Sequence, residues 1–351
     1  TKSNYTNGKR RTSFFQCVPI TLRLPYIRAR CFHRVDLDKR VRDGHNLCYF
    51  LNVTLALLWL YLTLWNCECV RHNGVLWYLD KPILGSAHAL RKLQELGKQL
   101  YLISNNSTIT IDEYNKRLSL YGLDIKAKEV INTAKTISWY LKKIQFTGEA
   151  FVIATTQFRQ VLIDDGFKLV PQDKTQIEEH KRYEGLKGIE DDPAIKAVIV
   201  DFCFLCDWTR LALAISCLGR KDVLYICGCR EEWLVYRGDK KILGSGPLID
   251  LISRQSGRTP LEFAKPSENL KDYVFDMCNV KDPSRCLIIG DSINTDMKFG
   301  VMCGFKKLFV NTGADKINEA AINNECCPDF YIPSLAMLNP LIDSLQNESA
   351  N

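Results

Sequence analysis

Cys286-Leu287-Ile288-Ile289-Gly290-Asp291-Ser292-Ile293-Asn294-Thr295-Asp296 is the stretch that decides the fold. A short apolar run ends at a glycine, and two carboxylates follow, five residues apart. The run Leu287 to Ile289 predicts a buried strand. Gly290 lets the backbone turn, which sets Asp291 at the strand's carboxyl end. Asp296 is expected in the first turn of the next helix, with Thr295 as its cap and Met297 to Val301 continuing apolar. In an open α/β sheet, ligands bind in the crevice outside the carboxyl ends of the strands. Carboxylates there suit a hard cation such as magnesium. The plainer alternative is a solvated loop whose acids favour the positive end of a helix dipole.

Outward from this stretch, strand and helix signals alternate from residue 67 onward. Cys67 to Val70, Gln99 to Ile103 and Lys307 to Val310 read as strands. Ser86 to Leu96, ended by Gly97, reads as a helix, as do Ile111 to Leu120, Thr133 to Lys143 and Glu268 to Asn279. A second unit runs from about residue 146 to 246. Its strands are expected at Ala150 to Ala154, Ala197 to Phe202 and Val223 to Ile226, and its helices at Gln157 to Asp165 and Trp208 to Leu218. Such alternation predicts a doubly wound parallel sheet. Ser104-Asn105-Asn106-Ser107-Thr108 follows one strand and opens a helix. It offers hydroxyls and backbone N–H groups to an anion, or serves only as an ordinary helix cap.

The chain has 351 residues, 15 cysteines and a formal charge of +7. Residues 1–46 hold eleven Lys/Arg against three Asp, a net of +8, so the remainder carries about −1. The basic balance belongs to an arm expected to be disordered, and the globular part has no nucleic-acid footprint. An organellar targeting peptide has a similar composition. Cysteines that are scattered and odd in number favour reduced thiols in a cytoplasmic protein over a disulfide scaffold. Leu47 to Trp65 is an uncharged run approaching the length of a membrane span. A true span would anchor the protein with its basic flank in the cytosol. The other readings are a core-packed helix or mistranslated flanking sequence. The sequence begins at Thr1 and its first methionine is Met277, so a fragment, a processed product or a faulty gene model is expected.

Four segments in order carry a family resemblance: Gly74-Val75-Leu76-Trp77, Leu102 to Thr108, Ala264-Lys265-Pro266-Ser267, and Gly290-Asp291 through Thr295-Asp296. Over about residues 67–345 the chain resembles the haloacid dehalogenase (HAD) phosphatase superfamily. More narrowly, it resembles the branch acting on phosphoglycolate, pyridoxal phosphate and 4-nitrophenyl phosphate. The resemblance implies a HAD-like, Rossmann-type core (67–145 and 247–345) with an inserted α/β cap (146–246). It also implies magnesium, a small phosphorylated metabolite as ligand, and a homodimer through the cap. In the family, one motif-one aspartate attacks phosphorus and a second, two residues later, cycles a proton. Carried over, Ser104, Asn105 and Asn106 would hold phosphate, Lys265 would neutralise its charge, and Asp291 would bind the metal. Asp296 would support the metal's water shell or hold the loop. The cap's substrate loop would place Asp201 or Asp207.

The first motif departs from the family. Arg71-His72-Asn73-Gly74 stands where Asp-Xaa-Asp-Gly is expected. Arg71 takes the nucleophile position, but its guanidinium stays protonated and cannot attack. Asn73 takes the acid/base position and has no proton to cycle, although its backbone carbonyl could still reach a metal. His72 could substitute as nucleophile, yet in a strand its side chain points away from its neighbours'. Arg71 is expected to pair with Asp291 and to weaken magnesium binding. The expectation is a phosphatase relative that is catalytically impaired. The alternatives are an active magnesium-dependent phosphatase with a misannotated amino-terminal exon, and a membrane-tethered binding or scaffold protein. Cys203, Cys206, Cys227 and Cys229 add a weaker zinc reading.

Overall fold

The structure, a computed structural model, describes residues 67–71, 74–78, 81–175, 186–237, 240–323 and 325–349. The basic arm 1–46, the apolar run 47–65, His72 and Asn73 lie outside the described residues.

The chain enters on β1 (Cys67–Val70). A small hairpin follows, β2 (Trp77–Tyr78) and β3 (Lys81–Pro82), then α1 (Ser86–Glu95), β4 (Gln99–Ile103), α2 (Ile111–Ser119), β5 (Val130–Ile131) and α3 (Thr133–Lys143). The second unit adds β6 (Glu149–Ile153), α4 (Thr156–Asp164), β7 (Lys168–Leu169), β8 (Ile195–Val200), α5 (Trp208–Leu218) and β9 (Leu224–Cys227). A hairpin of β10 (Trp233–Arg237) and β11 (Lys240–Leu243) follows, then α6 (Gly246–Ser256) and β12 (Leu261–Glu262). The chain returns through α7 (Glu268–Met277), β13 (Cys286–Gly290), α8 (Lys298–Cys303), β14 (Lys306–Val310), α9 (Ile317–Ile322), β15 (Phe330–Ile332) and α10 (Leu338–Ser349).

Helix starts follow side-chain chemistry. Thr110, Asn132, Thr155, Asp207 and Ser267 each accept a hydrogen bond from the backbone N–H three residues on. Each satisfies one of the donors that a helix leaves orphaned at its amino end.

The core sheet has the order β15-β14-β13-β1-β4-β5, and every pairing in it is parallel. Helices cover both faces, so the central strand β13 is apolar throughout rather than alternating. Leu287 and Ile289 pack on one face with Val70, Leu102, Leu90 and Ile342. Ile288 packs on the other with Cys69, Ile103, Val274 and Phe299. The chain builds outward from β1 through β4 to β5, then comes back to build the opposite half from β13. The topological switch therefore falls between β1 and β13, where a crevice opens at the carboxyl ends of the strands.

The second sheet, β12-β9-β8-β6-β7, is also parallel. It corrects the expected limit of the inserted unit at residue 246. Ile249 and Ile252 of α6 pack in the same apolar cluster as Val198, Leu213 and Tyr225, and β12 pairs with β9. The cap therefore continues to about residue 262. At its other border, Ala134, Ile137 and Leu141 of α3 pack against Phe158, Leu162 and Phe263. Two further expectations change. The core sheet ends not at β14 but at β15, a three-residue strand between Pro328 and Pro333. The helix after β13 opens with a wide turn over Ile293–Met297, and the Asp296 and Met297 N–H groups both bond the Ser292 carbonyl. Ser292, not Thr295, thus stands at its start.

Candidate active site

β1 and β13 run side by side with Val70 opposite Ile289. The next residue of β1, Arg71, donates its N–H to the Ile289 carbonyl at 3.0 Å. This register delivers the Arg71 side chain to the loop after β13. Its Nε lies 3.2 Å from Asp291 Oδ1 and its Nη1 3.1 Å from Asp296 Oδ2. Nη1 also donates to Thr295 Oγ1 at 3.3 Å. The pairing of Arg71 with Asp291 expected from sequence is thus present as an ion pair.

Asp296 is fully buried and is the hub. Its Oδ2 accepts the Asp291 and Ser292 N–H groups, each at 3.2 Å, so it holds the loop that carries Asp291. Its Oδ1 accepts Lys265 Nζ at 2.7 Å. Lys265, 5% exposed, also donates to the Ile103 carbonyl at 2.9 Å, at the end of β4. Asp291 accepts the Ala314 N–H through Oδ2 at 2.6 Å. Its Oδ1 is buried and, among the described residues, has no hydrogen-bond partner beyond the ion-pair contact with Arg71. The space around it is closed by glycines, because a Cβ at Gly74 or Gly313 would overlap the carboxylate.

The electrostatics follow from this packing. Burial works against the Asp296 carboxylate, but Lys265 and Arg71 together outweigh it and hold its pKa below the ordinary value. For Asp291, burial wins and pushes the pKa up, with Arg71 pulling it back and the charge of Asp296 adding to the rise. Burial would lower the pKa of Arg71, yet Asp296, Asp291 and Glu231 more than offset it and keep the guanidinium charged. The set is two cations against two carboxylates.

The second-motif residues occupy the rim. Ser104 Oγ accepts the Asn106 N–H at 2.9 Å and also bonds Tyr114. Asn105 is spent on Lys265: its Oδ1 accepts the Lys265 N–H at 2.8 Å and its Nδ2 donates to the Lys265 carbonyl at 3.2 Å. Asn106 is exposed, and its Oδ1 accepts both the N–H and the hydroxyl of Thr108 at 2.7 Å. A cleft of about 300 Å³ opens here, with Asn105, Lys265 and Thr295 on the core side and Gly228, Arg230 and Glu231 on the cap side.

Glu231 was not singled out from sequence. Its Oε1 lies 3.5 Å from Asn105 Nδ2 and its charge acts on Arg71. The signal was its position just beyond the carboxyl end of β9, the same rule that points to Asp291. Asp201 and Asp207 are elsewhere. Asp201, at the end of β8, is buried and accepts the Thr133 hydroxyl at 2.6 Å, the Ser107 hydroxyl at 3.2 Å and the Phe202 N–H at 2.5 Å. It ties the cap to the loop after β4. Asp207 caps α5. Neither lines the cleft.

A divalent cation needs several oxygen ligands. Among the described residues no group of three or more His, Cys, Asp or Glu side chains converges on one point, which applies to zinc at the four cysteines as well. Asp291 and Asp296 are both engaged by cationic side chains. Asn73, the other expected ligand, lies outside the described residues. Among the described residues, no helix is long and apolar enough to cross a membrane.

A parallel core with an inserted α/β cap, and this loop set at its switch point, defines a HAD-like hydrolase. Residues 72–168 match the family described as haloacid dehalogenase-like hydrolase, and residues 262–338 match the related HAD-hydrolase-like family. Over these two stretches the chain resembles the haloacid dehalogenase-like hydrolases. Among its relatives are a chloroplastic phosphoglycolate phosphatase of Arabidopsis thaliana, 28% identical over 75% of this chain and 74% of that protein, and chronophin of Rattus norvegicus, 27% identical over 76% and 84%. A p-nitrophenyl phosphatase from Archaeoglobus fulgidus has the same fold, with a TM-score of 0.67, 20% identity, and coverage of 80% of this chain and 99% of that one. The chain is homologous to HAD phosphatases that act on small phosphomonoesters.

Proposed function

We propose that this protein is a catalytically impaired HAD phosphatase that keeps the fold, and a cleft for a small phosphorylated metabolite, without the family's covalent chemistry. The observation that carries the reading is Arg71, a guanidinium at the nucleophile position paired with both Asp291 and Asp296. A protonated guanidinium has no lone pair with which to attack phosphorus. It also places positive charge where a metal would have to bind, so magnesium binding is weak. Asn73 has no proton to exchange at the acid/base position. Of the phosphate-handling groups, Lys265 and Asn105 stand in the cleft wall.

Each lost carboxylate removes a step that general acid–base or nucleophilic groups accelerate by about 10²-fold or more. The test is hydrolysis of 4-nitrophenyl phosphate with magnesium by the full chain and by Arg71→Asp/Asn73→Asp. Activity in the double variant alone supports the reading. Equal turnover by the unsubstituted chain, abolished by Asp291→Ala, would end it. The sequence's scattered cysteines support a cytoplasmic location, and the family resemblance supports a homodimer through the cap. Fractionation and light scattering of the full chain test these two points.

A further inference from the structure

The segment Cys203-Phe204-Leu205-Cys206 takes no part in the site described above. It follows β8, just past Asp201, and Phe204 and Leu205 are the central residues of a turn. A turn of this kind brings its first and fourth Cα atoms within about 7 Å, a separation that a disulfide spans. Both thiols are free and half-buried, and both pack against the same apolar cluster of the cap. The turn's middle residues are 75% and 71% exposed, so a small solute reaches it from solvent.

The surroundings are cationic. Arg210 Nη1 lies 3.9 Å from Cys203 Sγ and holds the Leu205 carbonyl at 2.7 Å. The buried Arg159 donates to the Val152 and Val170 carbonyls, and its charge reaches both Arg210 and Cys203. The nearby acid, Asp207, caps α5 through Oδ1, and its Oδ2 lies 3.9 Å from Arg210 Nε, so it shares that guanidinium. Cys206 differs: burial, and then the neighbouring Cys203, push its thiol up to about 11. The two sulfurs are therefore unequal in their surroundings: Cys203 touches the Arg210 guanidinium, and Cys206 is the thiol that burial keeps protonated.

We propose that Cys203 and Cys206 form a peroxide-oxidisable dithiol, in which Cys203 is oxidised first and Cys206 closes an intrachain disulfide. Cys203 sulfur attacks one peroxide oxygen, the O–O bond breaks, and Cys203 sulfenic acid and one water result. Cys206 sulfur then attacks the sulfenic sulfur; the S–O bond breaks, the S–S bond forms, and the hydroxide leaves as water with the Cys206 proton. Both thiols are oxidised, and one hydrogen peroxide is reduced to two waters. Cys217, Cys227 and Cys229 of the same unit are buried and lie outside this turn.

The experiment treats the reduced full chain with hydrogen peroxide, alkylates the remaining thiols and digests with trypsin. Cleavage after Lys196 and Arg210 releases residues 197–210, which carry these two cysteines and no other. The expected product is this peptide lacking two hydrogens, closed to alkylation until dithiothreitol is added. Cys206→Ser should stop at a sulfenic acid on Cys203 that dimedone traps. In Cys203→Ser, oxidation of Cys206 should be roughly tenfold slower, since that thiol lacks the cationic contact. A parent peptide that still takes two alkyl groups at a peroxide dose that oxidises the half-buried Cys327 would overturn the proposal. So would a Cys206→Ser variant that gives no dimedone adduct.

Discussion

Replacing Arg71 by alanine should convert a self-balanced charge cluster into one that needs a metal. The side chains of Asp291, Asp296 and Lys265 are only 3%, 0% and 2% exposed. With Arg71 the set is neutral, and without it one buried negative charge is uncompensated. Removing one member of a buried ion pair costs about 3–5 kcal/mol. Arg71 is 18% exposed, so water entering its place partly solvates Asp291, and the expected loss is at the lower end, about 3 kcal/mol. For a chain of this size that lowers the melting temperature by roughly 4 °C. The vacated space lies between two carboxylates and suits a hard cation. At 100 times its dissociation constant, magnesium would return about 2.7 kcal/mol, nearly the whole loss. Thermal melts of parent and Arg71→Ala in EDTA and in magnesium read both effects. The parent should be indifferent to magnesium, and the variant should melt low in EDTA and recover. A variant as stable as the parent in EDTA would refute the charge argument. Equal magnesium stabilisation of both proteins would show that Arg71 does not occupy the cation's place.

Three further outcomes follow from the same geometry. Lys265→Met strips Asp296 of its most deeply buried partner and should cost more than Arg71→Ala, toward about 5 kcal/mol in urea unfolding. Gly313→Ala drives a methyl into the Asp291 carboxylate and should cost about 1–3 kcal/mol by thermal melt. Burial pushes Asp201 up to about 6 from an ordinary 3.8, against the hydrogen bonds of Thr133, Phe202 and Ser107. Because the folded value is the raised one, its contribution is complete below the ordinary value and is lost as pH climbs through 6. Relative to Asp201→Asn, the parent should lose up to about 3 kcal/mol between about pH 4 and about pH 7; a pH-independent difference in urea unfolding would contradict this.

The parts of the site that could be read from sequence are those with a strand grammar. An apolar run, a glycine and an acid announce the end of β13, and the family resemblance of Arg71-His72-Asn73-Gly74 to a first motif locates Arg71 after β1. Once those two strands neighbour each other, an arginine and an aspartate at adjacent strand ends must meet. The parts that could not be read depend on partners far away in the chain. Asn105 looks available for an oxyanion, but the loop after β12 brings Lys265 backbone groups that satisfy its amide. Asp201 looks like a substrate-loop acid, but its donors, Ser107 and Thr133, come from segments about seventy to ninety residues earlier. The cap's extension to residue 262 is hidden because an amphipathic α6 does not say which of two sheets it covers. Phe330–Ile332 is too short for any period to show.

The substitution at position 71 is not an arbitrary defect in an otherwise conventional site. Asp291 and Asp296 are set at the switch point by backbone N–H groups and by glycines at which a Cβ would overlap the carboxylates. Carboxylates so placed must be countered by fixed charge, whatever chemistry the site performs. Lys265 supplies one positive charge, and a second has to come from a bound ion or from the protein. An aspartate at position 71 would raise the deficit and make the fold depend on a cation. An arginine there closes it from within the chain, at the expense of the nucleophile. On the function proposed above, the guanidinium that stands at the nucleophile position also balances the buried acids from within the chain. On this reasoning Arg71→Asp without metal should be less stable than Arg71→Ala, since it adds a third carboxylate to the pair it was meant to serve. The order of the two melting temperatures in EDTA decides the point.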